Sequence, residues 1–352
     1  MKREGNFEAM RTMAMFFIVV YHCLTHGVGS NYAFDIHHAA SLFNFVYSDF
    51  LLVFSSISVN LYVMVSGYFL STSHFKFSRI IRTWLNACFY SCMIVIAFMA
   101  LSLTPWNMVS LGKSFFPLST DAYWFVTQFI GLLILSPFLA LLVRQMSYKQ
   151  YVIFLIGGAF MCLSIIPDFP LGKRFHVAHG NSVWNFAYLF MVAGFIRHHV
   201  RRISNRKLLV SVIFLSLLLM ACEIFSGIQG DTACLSWLNY NGVPFLLSVT
   251  MFMLIRQIDL PETGIWKVLV TVAPYTFGVY LIHDHLLVRE WLWKTISLPL
   301  YCNQWTFPLI VLGLCLVIFV IGALLDVVRK KLFMLLKIDQ HIAKVDKWSL
   351  PF

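Results

Sequence analysis

The stretch FPLIVLGLCLVIFVIGALLDVV, residues 307–328, contains one charged side chain, Asp326. A helix needs about 20 consecutive apolar residues to cross a bilayer, so this stretch predicts a transmembrane helix. The whole chain has the same character, because 60% of its 352 residues are hydrophobic and 12% are charged, about half the charged fraction of a soluble domain. The fold class predicted is therefore an all-α, polytopic membrane helix bundle.

Apolar runs of similar length recur along the chain, and they predict ten transmembrane helices with both termini on one side. The fifth and sixth runs are short, so either would also fit a re-entrant segment. We divide the chain into a transmembrane domain, residues 1–330, and a basic cytoplasmic tail, residues 331–352. The predicted spans are Ala9–Gly27, Phe50–Leu70, Trp84–Leu103, Tyr123–Val143, Tyr151–Ile166, Val183–Ile196, Leu208–Phe225, Trp237–Ile255, Trp266–Leu287 and Phe307–Val328.

The positive charges predict the orientation of these spans. With the N-terminus inside, 21 of the 26 lysines and arginines fall on the inner side and 5 on the outer side. Cytoplasmic loops carry the excess of basic residues, so both termini are predicted to be cytoplasmic. The net charge of +11 is interpreted as this orientation signal and as anchoring to anionic lipid heads, not as a nucleic-acid surface.

The eight cysteines contain no CxxC pair and no spacing typical of a metal site. Most lie inside apolar runs, so they are interpreted as small core residues, and no metal is predicted. Cys234 and Cys302 fall in loops on the predicted outer side, which leaves a disulfide between them open.

A first group of polar residues lies on the first span, in FEAMRTMAMFFIVVYH (residues 7–22). Arg11 and His22 are eleven positions apart, which puts them on one helix face about 16 Å apart along the axis. Glu8 is one turn before Arg11 and can pair with it. Ionisable groups at membrane depth are costly and indicate function. The structural alternative is a core histidine and an interfacial arginine.

A second group, Arg79 and Arg82 with His74 and Lys76 before them, lies at the inner end of the third span. Two guanidinium groups three positions apart can converge on phosphate oxygens. The alternative is that these residues act as topology signals alone.

A third group, Tyr280, His283, Asp284 and His285, lies toward the outer end of the ninth span. A histidine beside an acid on that side would suit contact with an acceptor hydroxyl, whereas the alternative is a set of interfacial anchors. Ser66 is not in a G-x-S-x-G motif, and its Ser-Gly pair is interpreted as a site of close helix packing.

Taken together, these motifs resemble the acyltransferase-3 family of bacterial membrane O-acyltransferases. Glu8, Arg11 and His22 match the family's first-helix signature, although the acid is more often Asp, and Arg79 and Arg82 match its R-x-x-R pair. The likeness covers about residues 6–330. Further stretches similar to family blocks are VNLYVMVSGYFL (59–70), YWFVTQFIGLLILSPFLALL (123–142), NFAYLFMVAGFIR (185–197) and GVYLIHDH (278–285).

The resemblance implies an O-acetyltransferase in the bacterial cytoplasmic membrane, with acetyl-CoA as the acyl donor on the cytoplasmic side. The CoA phosphates would lie near Arg11, Arg79 and Arg82, with Lys76 beside them. The thioester would project toward His22, which then acts either as a general base or as a transient acyl carrier.

The implied acceptor is a hydroxyl of a cell-surface glycan, such as exopolysaccharide, capsule or O-antigen, or its lipid-linked precursor. It would arrive from the outer side and contact Tyr280, His283 and Trp124. Besides the bilayer, the implied partners are this glycan and acetyl-CoA, with no nucleic acid.

The alternative from another functional class is a transporter or exporter in which Arg11, His22 and Glu223 couple to ions. Buried carboxylates would favour it, but they are scarce in this sequence. The main candidates are Asp49, Glu223 and Asp326.

Overall fold

The computed structural model describes residues 4–29, 34–35, 37–120, 122–163, 180–228 and 242–348. These ranges are helical and contain no strand, which confirms the all-α prediction. The helices are α1 (Gly5–His22), α2 (Ala39–Ser56), α3 (Ser58–Leu70), α4 (Phe77–Ala100), α5 (Met108–Ser114), α6 (Trp124–Gln145), α7 (Tyr148–Cys162), α8 (Val183–His199), α9 (Asn205–Ile228), α10 (Val243–Arg256), α11 (Gly264–Val272), α12 (Thr276–His283), α13 (Leu286–Ile296), α14 (Phe307–Leu335) and α15 (Ile338–Ala343).

Several helical segments in the described part of the chain are long and apolar enough to cross a membrane. There are seven of them: Gly5–Val28, Ala39–Leu70, Phe77–Ala100, Trp124–Gln145, Asn205–Ile228, Gly264–His283 and Phe307–Leu335. The chain is therefore a multi-pass membrane protein. The remaining three predicted spans coincide with α7, α8 and α10, which have 15, 17 and 14 residues. The count of ten stays a prediction, since the predicted span residues 164–166 and 237–241 lie outside the described ranges.

The helices differ from the predicted spans where polar or proline residues interrupt them. The second span begins at Ala39 instead of Phe50 and bends at Ile57, where the hydroxyl groups of Ser55, Ser56 and Ser58 donate hydrogen bonds to carbonyls in the preceding turn.

The ninth predicted span is likewise two helices instead of one. A 3₁₀ turn at Ala273–Tyr275 contains Pro274, which has no N–H for a continuous helical ladder. Helix α14 continues to Leu335, seven residues beyond the predicted end of the tenth span, so the predicted boundary at residue 330 falls within a helix.

Helix α1 lies at the centre of the bundle, packed against α2, α3, α10, α11, α12 and α14. Its core contacts are aromatic and aliphatic, and Phe7, Val19 and Val20 are fully buried. Helix α3 packs closely on α8, because a Cβ at Gly67 would lie 2.8 Å from Phe190 Cα. This contact supports the packing interpretation of the Ser66-Gly67 pair.

The helix ends that the sequence assigns to the cytoplasm meet at one end of the bundle. Asn6 donates to the carbonyls of Ile255 and Arg256 at the end of α10. Arg256 in turn donates to the carbonyls of Ile196 and Val200, which closes the end of α8. Arg256, one of the basic residues assigned to the inner side, therefore also caps a helix end. We call this end of the molecule the basic end of the bundle.

Candidate active site

His22 is the last residue of α1 and is buried, with 8% of its surface exposed. Its Nδ1 lies 2.9 Å from Nε2 of His283, the last residue of α12. The two histidines are 261 positions apart in sequence, so the contact depends on α1 packing against α12. The predicted catalytic His22 and the predicted acceptor contact His283 are thus direct neighbours.

The hydrogen bonds define the proton positions on both rings. His283 Nδ1 lies 2.6 Å from the carbonyl oxygen of Val279, and a carbonyl can only accept. The neutral His283 therefore has its proton on Nδ1 and a lone pair on Nε2, which accepts from His22. Consequently His22 has its proton on Nδ1, and its Nε2 has the lone pair that a base or a nucleophile requires.

A carboxylate and an arginine complete the polar cluster around His22. Asp284 Oδ1 lies 3.5 Å from His22 Nδ1 and 3.4 Å from Arg289 Nη1. Asp284 is buried, whereas His26, one turn after His22 in the π-helix Cys23–Val28, is exposed. The cluster therefore reaches the surface at the end of the bundle opposite the basic end.

A narrow cavity, with room for about one water molecule, borders His22 on the other side. Trp124 and Tyr280, predicted acceptor contacts, also line it. We call it the inner cavity, and its lining residues are Met15, Ile18, Tyr21, His22, Ser55, Val59, Tyr62, Trp124, Phe125 and Tyr280.

A second, much roomier cavity opens at the basic end. It contains the three predicted phosphate-binding arginines and is therefore strongly basic. We call it the mouth cavity, and its lining residues are Arg11, Ser66, Phe69, Leu70, Ser73, Arg79, Arg82, Thr83, Phe129 and Leu133.

Three aromatic side chains separate the two cavities. Phe125 lines the inner cavity and Phe129 the mouth cavity, and their rings stack with centroids 5.5 Å apart. Tyr62 packs edge-on against both, at 5.7 and 6.3 Å. Helices α1, α3 and α6 contribute residues to both cavities, so the two cavities lie on one path from Arg11 to His22. We call the three rings between them, Tyr62, Phe125 and Phe129, the aromatic constriction.

The mouth arginines already have partners within the protein. Arg11 donates to Glu8 at 2.8 Å, as the spacing predicted. Arg79 donates to Ser73, and Arg82 donates to Asp339 of α15 at 2.8 Å. The contact with Asp339 was not predicted, because a residue 257 positions away has no signature near Arg82. Lys76 is exposed and does not line the mouth cavity.

Other predicted residues have structural roles. His285 Nδ1 accepts from the backbone N–H of Leu287 and caps α13. Cys302 is a free, buried cysteine, and Cys234 lies outside the described residues. The carboxylates that would favour a transporter, Asp49, Glu223 and Asp326, are buried but line neither cavity.

The fold and the site define a multi-helix membrane protein with a buried histidine on the inner cavity and three arginines on the mouth cavity. A family model described as an acyltransferase domain, that of the acyltransferase-3 family, matches residues 4–327. The chain belongs to this family and is a membrane acyltransferase. Comparison with curated proteins gave no match, and neither did comparison with solved structures.

Proposed function

We propose that the protein transfers an acetyl group from cytoplasmic acetyl-CoA to a hydroxyl of a cell-surface glycan or its lipid-linked precursor, in the cytoplasmic membrane of a bacterium. The observation that carries this proposal is the pair of cavities along α1. One offers three arginines and the other offers His22, and the aromatic constriction lies between them.

The mouth cavity suits the nucleotide end of CoA. Arg11, Arg79 and Arg82 line one basic chamber, and guanidinium groups bind phosphate oxygens through paired hydrogen bonds. The narrow pantetheine arm would pass the aromatic constriction, which would bring the thioester to the inner cavity. The rise of α1 from Arg11 to His22, about 16 Å, is the distance that this arm has to cover.

The histidine pair suits activation of an acceptor hydroxyl. In the general-base route, His22 Nε2 takes the proton of the hydroxyl while its oxygen attacks the thioester carbonyl. The C–S bond breaks as the tetrahedral intermediate collapses, and the imidazolium returns the proton to the CoA thiolate. Asp284, 3.5 Å from Nδ1, stabilises the imidazolium during this cycle. Tyr280 and Trp124 line the inner cavity in which the acceptor would lie, and His283 contacts it only through His22.

The decisive test follows the acetyl group in membranes that contain the protein. We expect radiolabel from [acetyl-¹⁴C]CoA to appear on a glycan fraction, and label from CoA itself to stay in solution. Mild alkali should release the label, as expected of an ester. Absence of transfer to every glycan or glycolipid fraction, in membranes with folded protein, would contradict the proposal.

A second experiment separates the two roles considered for His22, general base and acyl carrier. After a brief incubation with labelled donor and no acceptor, the protein is quenched and its intact mass measured. A general base leaves the mass unchanged, whereas an acyl carrier adds one acetyl group, and this addition should be absent in His22→Gln.

A further inference from the structure

Three side chains of metal-ligating types converge beyond the inner cavity, and a fourth, His283, contacts one of them. Ring nitrogens of His22 and His26 and a carboxylate oxygen of Asp284 all lie within 4.8 Å of one another. His283 Nε2 is 2.9 Å from His22 Nδ1. In a tetrahedral zinc site with metal-ligand distances of about 2.0–2.2 Å, the ligand atoms are about 3.3–3.5 Å apart. The 3.5 Å separation between His22 Nδ1 and Asp284 Oδ1 is close to this value.

The surroundings of His283 and Asp284 resemble those of established metal ligands. A ligating histidine usually donates its second ring N–H to a carbonyl or carboxylate, and a ligating carboxylate is itself hydrogen-bonded. His283 Nδ1 contacts the carbonyl of Val279 at 2.6 Å, which leaves its Nε2 lone pair facing the cluster. Asp284 Oδ1 contacts Arg289 at 3.4 Å, so it has the outer partner expected of a ligating carboxylate.

The cluster is also open to an ion from solvent. His26 is exposed, and it lies in the π-helix Cys23–Val28 that directly follows His22. His26 is four positions after His22, and side chains at this spacing are neighbours on a helix surface. The two rings lie 5.3 Å apart.

We propose that His22, His26 and Asp284, with His283 beside them, bind a divalent transition-metal ion of the zinc class, and that this ion switches off acyl transfer. The ion takes the lone pair of His22 at Nδ1, so the single proton of the neutral ring resides on Nε2. Nε2 is then a donor and can neither remove a proton from a hydroxyl nor attack a thioester. The inhibition rests on the proposed function of His22, whereas ion binding does not.

Zinc binding is measured first, on the full-length protein purified in detergent and stripped with chelator. We expect wild type to bind one Zn²⁺ at a concentration at which this site is empty in His26→Ala. The affinity of the site for Zn²⁺ should be at least about tenfold lower in the variant, because loss of even an outer partner of a metal ligand lowers metal affinity about 10–100-fold. His38→Ala, another exposed histidine at the start of α2, is the matched control and should bind zinc like wild type. Equal affinity and stoichiometry in wild type and His26→Ala would overturn the site.

Inhibition is measured next, as acetyl transfer against Zn²⁺ concentration. Wild type should lose activity and regain it with chelator, and Mg²⁺ should have no effect because it prefers oxygen ligands. His26→Ala, and His26→Gln as a second variant, should stay active at zinc concentrations about tenfold higher. Zinc binding in a preparation without transferase activity would uphold the site and count against the proposed function. If the enzyme is active and wild type and both variants are equally sensitive to zinc, inhibition by an ion at this site is contradicted, whereas ion binding at the site is not.

Discussion

At the scale of single residues, His22 has the most demanding role. It combines burial, a hydrogen bond that places its proton on Nδ1, and a position on the inner cavity. Replacement by alanine removes the Nε2 lone pair, so we expect the transfer rate of His22→Ala to fall by about two to four orders of magnitude. Folded yield should stay near that of wild type, because the side chain borders a cavity.

His22→Gln is the companion variant, since its amide group can still donate to His283 Nε2 but cannot act as a base. Both variants are assayed for folded yield and acetyl transfer on the same detergent-purified sample. A structural histidine would behave differently: the alanine variant would express poorly and keep its activity per folded molecule. Full activity in well-folded His22→Ala would sink the proposed chemistry.

Arg79 and Arg82 test the donor side of the site. A lysine keeps the positive charge but loses the two-pronged geometry of the guanidinium group. Arg79→Lys and Arg82→Lys should therefore each raise the apparent KM for acetyl-CoA several-fold, which corresponds to a loss of about 1 kcal/mol of binding free energy. Membrane insertion should be unaffected. Arg206→Lys, an exposed residue of α9, is the control. If KM is unchanged in both mouth variants, their charge serves topology alone.

Residues that lie close together through helical spacing were predictable from the sequence, whereas residues brought together only by the packing of different helices were not. Glu8, Arg11 and His22 lie on one helix, so 3.6-residue periodicity places them. His26 carried the same kind of signal, because it follows His22 by four positions, whereas Arg289 carried none. Arg289 meets Asp284 because the chain turns between α12 and α13.

At the scale of helices, the contact between α12 and α14 depends on a glycine. A Cβ at Gly278 would overlap with the carboxylate of Asp326. That carboxylate cannot move away easily, because Arg329 donates to it at 2.6 Å and Tyr90 at 2.7 Å. Overpacking in a tight core costs about 1–3 kcal/mol, so Gly278→Ala should lower the folded yield and the thermal midpoint in detergent.

Gly313, on α14, provides the matched control for this substitution. An added Cβ there meets no atom within 4 Å, so Gly313→Ala should leave the thermal midpoint unchanged or slightly raise it by favouring the helix. Equal stability of Gly278→Ala and Gly313→Ala would mean that α12 and α14 are less closely packed than described.

If CoA binds as proposed, the C-terminal helix α15 would compete with it for one arginine of the mouth cavity. Asp339 holds Arg82 at 2.8 Å in a largely exposed ion pair. Such pairs contribute about 0.2–1 kcal/mol, so Asp339→Asn should lower the apparent KM for acetyl-CoA by up to about fivefold. Asp259→Asn, on a loop at the same end, is the control, and a KM that rises in Asp339→Asn would contradict competition.

The helices themselves were mostly predictable, because apolar runs of about 20 residues have few other structures in a membrane. The interruptions were harder to place. The bend at Ile57 arises from three serines that also occur in straight helices. In α6, by contrast, Pro137 does not end the helix, because Ser136 donates at 2.7 Å to the Leu133 carbonyl that proline leaves without its N–H partner.

At the scale of the whole molecule, the prediction concerns orientation. The basic end gathers Asn6, Arg256 and the tail residues Asp339 and Asp346, and the predicted alternation of ten spans would place all of them on the cytoplasmic side. We expect reporter fusions to place both termini and the run 197–207 in the cytoplasm and the loop around Lys173 outside. A cytoplasmic Lys173 would mean that the number of spans before this residue has been miscounted. The side of the membrane assigned to acetyl-CoA would then have to be assigned again.

The aromatic constriction also matters for the cell's ion gradients. A protein with one cavity toward the cytoplasm and a polar cluster toward the opposite face would be a pore if the two were joined by water. Stacked Phe125 and Phe129, with Tyr62 edge-on against them, offer apolar rings that hold no continuous file of water. Under the proposed function, a thin acyl-bearing arm would part these rings and let them close behind it. Transfer of an acyl group from one face of the bilayer to the other would then leave the membrane electrically insulated.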